Sequence, residues 1–136
     1  MQTAAFSIVN YQFDKVNIDL SNHKSKGLSL SFDTTGLFLT ENSTYELTFV
    51  LNVFNQDEKE NPFVNVHCKG TFQFEHVANI AEIPDFFYRN SIAILFPYVR
   101  AYVSIVTTQA NVPGIILPTL NLSSLEADLR NNTIQK

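Results

Sequence analysis

The chain has 136 residues, of which 45% are hydrophobic and 16% are charged, and its formal net charge is −4. This length fits a single domain, 1–136. A small water-soluble domain usually carries about 25% charged residues, so the low charge predicts that an oligomeric or apolar partner covers part of the surface. The negative net charge, with nine Lys and Arg spread along the chain, argues against nucleic acid as the main partner.

The cellular compartment is predicted from the N-terminal residues and from cysteine usage. The opening MQTAAF lacks the basic region and the apolar core of a signal peptide. No uninterrupted apolar run approaches the roughly 20 residues that a membrane span needs. A single cysteine, Cys68, excludes an intramolecular disulfide and fits a reducing compartment. We therefore expect a cytoplasmic protein without membrane insertion.

The opening segment predicts a first strand with one irregularity. Its apolar residues alternate with polar ones, but they change from odd to even positions between Phe13 and Val16. Since neighbouring residues of a strand point to opposite faces of the sheet, this change predicts a β-bulge near Asp14 and Lys15.

Three further strands are predicted in the first half of the chain. The second strand begins at Leu28 and is expected to break at 34–36. The third and the fourth carry apolar residues at every second position, over 45–53 and 64–74. Such regular alternation favours an antiparallel sheet with one face covered and the other exposed.

The hydrophobic period changes after Pro84, where an amphipathic helix is predicted. Its apolar residues recur at spacings of three and four, and they are Ile92, Leu95, Phe96, Val99, Tyr102, Val103 and Val106. A proline fits a helix only in its first turn or at a kink. The run that begins at Leu95 is interpreted as the opening of the helix, which places Pro97 in the first turn. An earlier start with a kink at Pro97 stays open as the alternative.

An apolar loop and a short helix are predicted to follow. The loop is bounded by Pro113 and Pro118, and its apolar side chains stand where loops are normally polar. Ser123, with Glu126 three residues later, matches a capping box. This pattern predicts that a short last helix begins near Ser124.

The sequence predicts neither an enzyme nor a cofactor. His67 and Cys68 are adjacent on a strand, so they point to opposite faces and cannot readily share a metal ion. We interpret Cys68 as a core thiol. The acidic residues Asp57, Glu58 and Glu60 lie in a turn, where their default role is solvation. No nucleophile elbow, P-loop or dinucleotide-binding motif is present.

Seventeen aromatic residues, twelve Phe and five Tyr, exceed what one sheet–helix layer must bury. Most of them are expected to form the core. The surplus around Phe38, Phe54, 86–88 and the loop at 112–122 predicts a surface that binds apolar partners. A β-rich carrier, whose aromatics line a closed cavity for a small apolar ligand, stays open as an alternative.

Two runs of residues resemble one known family. ILFPYVR at 94–100 and LPTLNL at 117–122, together with the order of the strands, resemble the protein-export chaperone SecB. The likeness extends from about Phe6 to Leu125. It implies an α+β fold in which a four-stranded antiparallel sheet packs on a long helix, with a short C-terminal helix. It further implies a homotetramer built as a dimer of dimers.

The resemblance implies an ATP-independent holdase that binds unfolded preproteins, its clients, in hydrophobic grooves during protein export. Such a function requires no cofactor. The grooves of this family lie beside the long loop and the last helix. On this basis and that of the aromatic surplus, the predicted client-binding residues are Phe38, Phe54, Phe86, Phe87, Ile115, Ile116, Leu117, Leu120 and Leu122.

A second partner implied by the resemblance is the SecA motor, on which this family docks partly through acidic residues of the sheet. The matching positions here are Lys15, Asp19 and Asn65, so only Asp19 is acidic. The resemblance therefore predicts a docking role for Asp19 and a weakened interaction with SecA, because charge complementarity sets specificity and association rate. Some SecB-like proteins instead guard an antitoxin, so antitoxin guarding remains an alternative to export.

Overall fold

One mixed β-sheet, two α-helices and two short 3₁₀-helices (Leu20–Asn22 and Ile80–Glu82) make up the described part of the chain. The structure is a computed structural model that describes residues 5–22, 28–55, 60–112, 115, 117 and 121–136. The order is β1 (Ala5–Ile18), β2 (Leu28–Leu39), β3 (Thr44–Asn55), β4 (Val64–Glu75), α1 (Asp85–Gln109), α2 (Leu122–Asn131) and β5 (Thr133–Gln135). The strands are arranged β1-β4-β3-β2-β5, with β2 and β5 parallel and the other neighbours antiparallel.

One face of the sheet carries the core. The apolar residues that alternate along β3 are all fully buried, and they are Tyr45, Leu47, Phe49, Leu51 and Val53. Helix α1 packs on this face, since the ring centroids of Phe87 and Tyr45 lie 4.7 Å apart. The alternate residues of β3 point to the other face and are half-buried. The prediction of a sheet with one covered face is confirmed.

The predicted bulge in β1 is also confirmed. The register against β4 shifts between Phe13 and Lys15, where Asp14 is the extra residue. A further shift, between Ile8 and Asn10, was not predicted. It leaves the side chain of Val9 exposed, and because Val9 is apolar, the sequence pattern contains no sign of it.

The predicted break in the second strand is wrong, since β2 runs without interruption from Leu28 to Leu39. Gly36 was interpreted as a strand breaker, but it serves close packing. A Cβ at this position would overlap the side-chain hydroxyl of Tyr45. That hydroxyl shares a 2.6 Å hydrogen bond with Oγ1 of Thr133. The glycine therefore allows a buried tyrosine of β3 to reach β5 beneath β2.

The described residues form a five-stranded sheet rather than the predicted four-stranded one. The additional strand, β5, pairs in parallel with 36–38 of β2. The backbone N–H of Lys136 donates to the carbonyl of Phe38 at 2.9 Å, and the N–H of Thr40 donates to that of Lys136 at 2.9 Å. A three-residue strand with two polar residues is too short for an alternating pattern, which explains why the sequence did not predict it.

Helix α1 begins at Asp85, ten residues before the predicted opening at Leu95. Pro97 instead lies in the middle of the helix. Its ring nitrogen cannot donate to the carbonyl of Ala93. Since Ala93 and Pro97 are both exposed, water can reach that carbonyl. By length and composition α1 could span a membrane, but the core helix of a folded domain passes the same test.

The short last helix is present, but the predicted capping box does not form. Helix α2 begins at Leu122, and its N-cap is Asn121, whose side chain accepts from the backbone N–H of Ser124 at 3.2 Å. The hydroxyl of Ser123 instead accepts from the guanidinium of Arg89 at 3.0 Å. Glu126 also pairs with Arg89, at 3.3 Å. These two residues therefore tie α2 to α1.

Candidate functional site

Helix α1 carries apolar residues on part of its outward side as well as on its core side. Val99 and Val103 are fully buried against the sheet. On the outward side, Pro97, Tyr98 and Ile105 are exposed. A surface helix of an isolated domain normally carries polar residues there, so this side of α1 is a candidate for binding an apolar partner.

A groove borders α1 on the side of the segment that follows it. Its lining residues are Pro97, Arg100, Ala101, Ser104 and Ile115, and its volume is about 340 Å³. Three of these five residues are apolar, and Arg100 is the one charged residue among them. We call this feature the α1 groove. Its volume is at the lower end of the range of small-molecule sites, about 300–1,000 Å³, which is enough for an inserted side chain.

The wall of the α1 groove is held by a buried threonine. The hydroxyl of Thr107 donates to the carbonyl of Val103 at 2.7 Å and accepts from the backbone N–H of Ile115 at 3.2 Å. Thr107 has no exposed surface. This bond therefore anchors Ile115 to α1, and the position of the wall relative to the helix is fixed.

Paired aromatic rings border α1 on its other side. Tyr11 of β1 stacks on Tyr98 with ring centroids 4.1 Å apart, and Phe13 stacks on Tyr102 at 3.9 Å. We call these four residues the aromatic surface. Tyr11 and Tyr98 keep 41% and 40% of their surface exposed. A smaller pocket of about 260 Å³ lies beside them, and it is lined by Ile8, Val9, Asn10, Tyr11 and Tyr98.

Comparison with known sequences identifies the family. The family model SecB, described as preprotein translocase subunit SecB, matches residues 8–131. The match covers both helices, β2, β3, β4 and most of β1, and it ends before β5. The chain belongs to the SecB family.

A curated relative and two solved structures are similar to this SecB-family chain. An uncharacterised protein of Methanocaldococcus jannaschii is 40% identical over 67 residues, which make up 49% of this chain and 43% of that protein. The match thus spans less than half of the relative's length. The Mycobacterium tuberculosis SecB-like chaperone Rv1957, solved in complex with a ChAD peptide from the Rv1956 HigA1 antitoxin, has a TM-score of 0.59 at 16% identity, covering 85% of this chain and 91% of that one. At that identity the likeness shows a shared fold.

The second solved structure is a protein of unknown function from Streptococcus agalactiae. It matches with a TM-score of 0.45 at 15% identity and covers 87% of this chain and 100% of that one.

Two of the predicted client-binding residues of this SecB-family chain lie in the core. Phe38 and Phe87 have no exposed surface. The ring of Phe87 lies 4.7 Å from that of Phe74, and the ring of Phe38 lies 5.9 Å from it. The prediction that Phe38 and Phe87 form part of an exposed surface is therefore wrong, since both fill the space between the sheet and α1.

The loop residues are buried more deeply than the sequence suggested. Ile115 is 6% exposed and Leu117 is 3% exposed, and both belong to the core cluster. Of these two predicted client-binding residues, Ile115 lines the α1 groove and Leu117 does not. Leu122 is half-buried at the start of α2. Ile116 and Leu120 lie outside the described residues.

Phe86 and Phe54, the other two aromatic residues predicted to bind clients, lie on different sides of the sheet. Phe86 is 47% exposed near the start of α1, where its ring lies 6.2 Å from that of Phe6. Phe54 is half-buried on the open face of the sheet, which is the face opposite the core, and it pairs with Ser29 of β2. Phe86 therefore stands on the β1 side of α1, whereas Phe54 is separated from it by the sheet.

Asp19, predicted to dock on SecA, is engaged in a turn after β1. Its carboxylate accepts from the backbone N–H of Ser21 at 3.1 Å and from the side-chain amide of Asn22 at 3.4 Å. Lys15 is exposed, and the amide of Asn65 donates to the side chain of Asn52 at 2.6 Å. Asp19 is thus the one acidic residue among these three positions, and its carboxylate is engaged within the turn. The docking role of Asp19 stays a prediction.

Cys68 has the environment of a core thiol. It has no exposed surface, and burial, with a smaller contribution from Asp14, raises the pKa of its thiol to about 12. The thiol is therefore protonated and unreactive near neutral pH. In the described residues, His, Cys, Asp and Glu form no cluster of three or more that could hold a metal ion.

The sequence reasoning missed the aromatic surface, although the spacing contained a signal. Tyr98 and Tyr102 are four residues apart on a helix, which corresponds to about 6 Å along its axis. Tyr11 and Phe13 are two residues apart on a strand, which corresponds to about 6.6 Å. A helix that runs alongside an edge strand therefore brings such pairs into register.

Proposed function

We propose that this SecB-family chain is an ATP-independent chaperone that holds unfolded polypeptides in the cytoplasm. The observation that carries the proposal is the α1 groove, a depression whose described lining residues are mostly apolar. Family membership supports the same reading. The sequence has no nucleotide-binding motif, so binding and release are proposed to depend on affinity alone.

The chemistry of the α1 groove suits clients of many sequences. Burial of apolar surface is non-directional, so Pro97, Ala101 and Ile115 can accept any apolar side chain of suitable size. Burying one such side chain contributes about 1.5–3 kcal/mol. A single groove therefore binds weakly, and useful affinity requires several contacts along one extended client chain.

We further propose that the chain assembles as a homotetramer, a dimer of dimers. The support comes from exposed apolar side chains on β1 and on the outward side of α1, which are Val9, Tyr11, Val16, Tyr98 and Ile105. Contiguous apolar surface on a small domain usually marks an interface. The low charge of the chain, 16%, is consistent with a surface that is covered in the assembly.

The filled core argues against the carrier of small apolar ligands. Phe49, Phe87 and Phe96 are buried between the sheet and α1, so the space that a carrier needs is occupied by side chains. Light scattering separates the two functions. A tetramer at micromolar concentration is expected for the chaperone, whereas a monomer that binds small apolar dyes would support the carrier.

The holdase function is tested by protection of a chemically unfolded client. The wild type is expected to suppress client aggregation at a stoichiometric ratio. Ala101→Asp should reduce client affinity by about tenfold, because it places a charge in the apolar groove that a bound client would desolvate. Ala93→Asp is the matched control, since Ala93 is exposed on α1 but does not line the α1 groove. If wild type gives no protection, the proposal fails.

Two sources of clients are proposed, exported preproteins and an antitoxin. The antitoxin receives support from the open face of the sheet, where Lys15 and Asn65 stand at positions that are acidic in export members of the family. The chaperone of the same fold from M. tuberculosis was solved with an antitoxin peptide. Measured tight binding to SecA would favour export, and a toxin–antitoxin gene pair beside this gene would favour guarding.

A further inference from the structure

The edge of β2 that faces away from β3 is covered by β5 and its neighbouring residues. The backbone N–H of Gly36 donates to the carbonyl of Asn132 at 3.3 Å, and that of Thr40 donates to the carbonyl of Lys136 at 2.9 Å. The N–H of Lys136 donates to the carbonyl of Phe38 at 2.9 Å. Since the pairing is parallel, the even-numbered residues of this segment bond to β2. The odd-numbered ones direct their N–H groups away from it.

The segment is held firmly at its first residue and loosely beyond it. The hydroxyl of Thr133 donates to the carbonyl of Leu129 at 2.6 Å and shares a second bond of 2.6 Å with the hydroxyl of Tyr45. By contrast, Ile134 is 57% exposed, and the two residues after it are exposed as well. Exposed side chains contribute little apolar burial. Residues 134–136 can therefore leave β2 while Thr133 stays in place and the hydroxyl of Tyr45 keeps its partner.

This cover on β2 lies outside the part of the chain that matches the SecB family. The family match ends at residue 131, whereas β5 spans Thr133–Gln135. In the part of the chain that the structure describes, β5 is the one strand that pairs with this edge of β2. An open strand edge binds extended chains, because it presents N–H and C=O groups that pair with a backbone of any sequence.

A shallow pocket lies on the open face of the sheet beside the same edge. Its volume is about 390 Å³, and its lining includes Leu37 of β2 and Ile134, which pair across the two strands. The residues before and after Ile134 are polar. A strand that replaced β5 would place one apolar side chain against Leu37 and polar side chains on either side of it. Extended segments in which apolar and polar residues alternate are therefore the class of chain that fits this edge.

We propose that residues 134–136 are a displaceable cover and that an extended client segment pairs with 36–40 of β2 in their place. This inference rests on the proposed holdase function and adds to it a second contact surface and the class of segment that this surface takes. Backbone pairing supplies affinity for many sequences, and the contact with Leu37 adds a preference for alternating ones. The cover lowers the apparent affinity, since only molecules with a detached cover bind a client at this edge.

Two proline variants test the role of the pairing. Ile134→Pro removes an N–H that faces β2 and places the proline ring against the strand edge, so it should detach the cover. Gln135→Pro is the matched control, because the N–H of Gln135 points away from β2. This control also loses the 2.7 Å bond from the N–H of Ile80 to the side chain of Gln135, so it reports on side-chain contacts of β5 with the pairing kept.

The binding probe is a fluorescein-labelled peptide, Thr-Ile-Gln-Ile-Thr-amide, measured by fluorescence anisotropy. Ile134→Pro should bind it about three- to tenfold more tightly than wild type does, because the competing segment is removed. Gln135→Pro should bind it as wild type does. A peptide of the same composition without alternation, Ile-Ile-Gln-Thr-Thr-amide, should bind wild type several-fold more weakly.

Amide hydrogen exchange shows whether the peptide takes the place of β5. The amides of Phe38 and Thr40 face β5, whereas those of Leu37 and Leu39 face β3 and are internal controls. With the peptide bound, the amide of Lys136 should exchange several-fold faster than in the free protein, because its bond to β2 is lost. The amides of Phe38 and Thr40 should stay protected, since the peptide backbone bonds to them instead.

The outcomes separate the cover from the holdase function. If wild type protects no unfolded client and neither wild type nor the variants bind the peptide, the holdase function fails, and this inference fails with it. If clients are held, but Ile134→Pro binds the peptide as wild type does and the amide of Lys136 stays protected, the holdase function stands and β5 is a permanent strand. If both proline variants raise the affinity equally, side-chain contacts rather than strand pairing limit binding, and the inference is again overturned.

A second variant keeps the test valid if Ile134→Pro does not fold. A chain that ends at Thr133 lacks the cover but keeps the bond between Thr133 and Tyr45. Thermal melts of all variants are measured first. The shortened chain should melt close to wild type and should show the same gain in peptide affinity as Ile134→Pro, and a folded shortened chain without that gain would refute the inference.

Discussion

The double substitution Ile115→Ser and Leu117→Ser tests whether the segment after α1 is core or client-binding surface. Both side chains are nearly buried, at 6% and 3% exposed. Burial of each contributes about 1.5–3 kcal/mol, so the pair should lower the free energy of unfolding by about 3–6 kcal/mol. A domain of this size has a total stability of about 5–15 kcal/mol. The loss is therefore large enough to leave part of the protein unfolded.

Thermal melts followed by circular dichroism measure this loss. About 1 kcal/mol shifts the midpoint by about 2–8 °C in domains of 60–250 residues, so the double variant should melt at least about 6 °C below wild type. Leu20→Ser is the control, because Leu20 is 47% exposed after β1 and should shift the midpoint by less than about 4 °C. A double variant that melts with wild type but binds clients several-fold more weakly would refute the core assignment and leave client binding as the role of these two residues.

Two further predictions concern the sheet. Gly36→Ala should destabilise the fold by about 2–4 kcal/mol in urea unfolding, because the new methyl group displaces the hydroxyl of Tyr45 from its bond to β5. Gly70→Ala is the control and should cost less, because its methyl group meets only the flexible end of Leu95 at 3.1 Å and the edge of a neighbouring ring. Equal losses of stability in the two variants would contradict this explanation. Cys68, whose thiol pKa is raised to about 12 by burial, should resist a thiol reagent at pH 8 in the native protein and react fully in urea; rapid native labelling would show that β4 opens.

The sheet and its covered face were predictable because burial imposes a pattern on neighbouring residues. Alternation along β3 and β4 reports directly which side chains face the core. The bulge near Asp14 was predictable for the same reason, since it changes the phase of that alternation. The start of α1 was not, because Pro97 was treated as an N-terminal signal. A mid-helix proline is tolerated here on the exposed side, and the sequence does not show which side that is.

The functional surfaces were less predictable than the fold. The count of aromatic residues predicts an exposed surface that includes Phe38 and Phe87, but rings from the strands and the helix pack together in the core. Tyr11 and Tyr98 are 87 positions apart in the sequence and meet only in the folded state. Such relations depend on tertiary contacts that periodicity does not encode.

The position of β1 in the sheet has a consequence for biosynthesis. β2, β3 and β4 follow one another as adjacent antiparallel neighbours, but β1 lies on the far side of β4, where Ala5 is the partner of Glu75. β1 leaves the ribosome before β4, so its first residues wait for about seventy further residues before they can pair, at translation rates of about 5–20 residues per second. During those seconds the nascent chain exposes Phe6, Ile8 and Phe13 together with an unpaired strand edge. While it is being made, this protein has the features of the unfolded chains that it is proposed to bind.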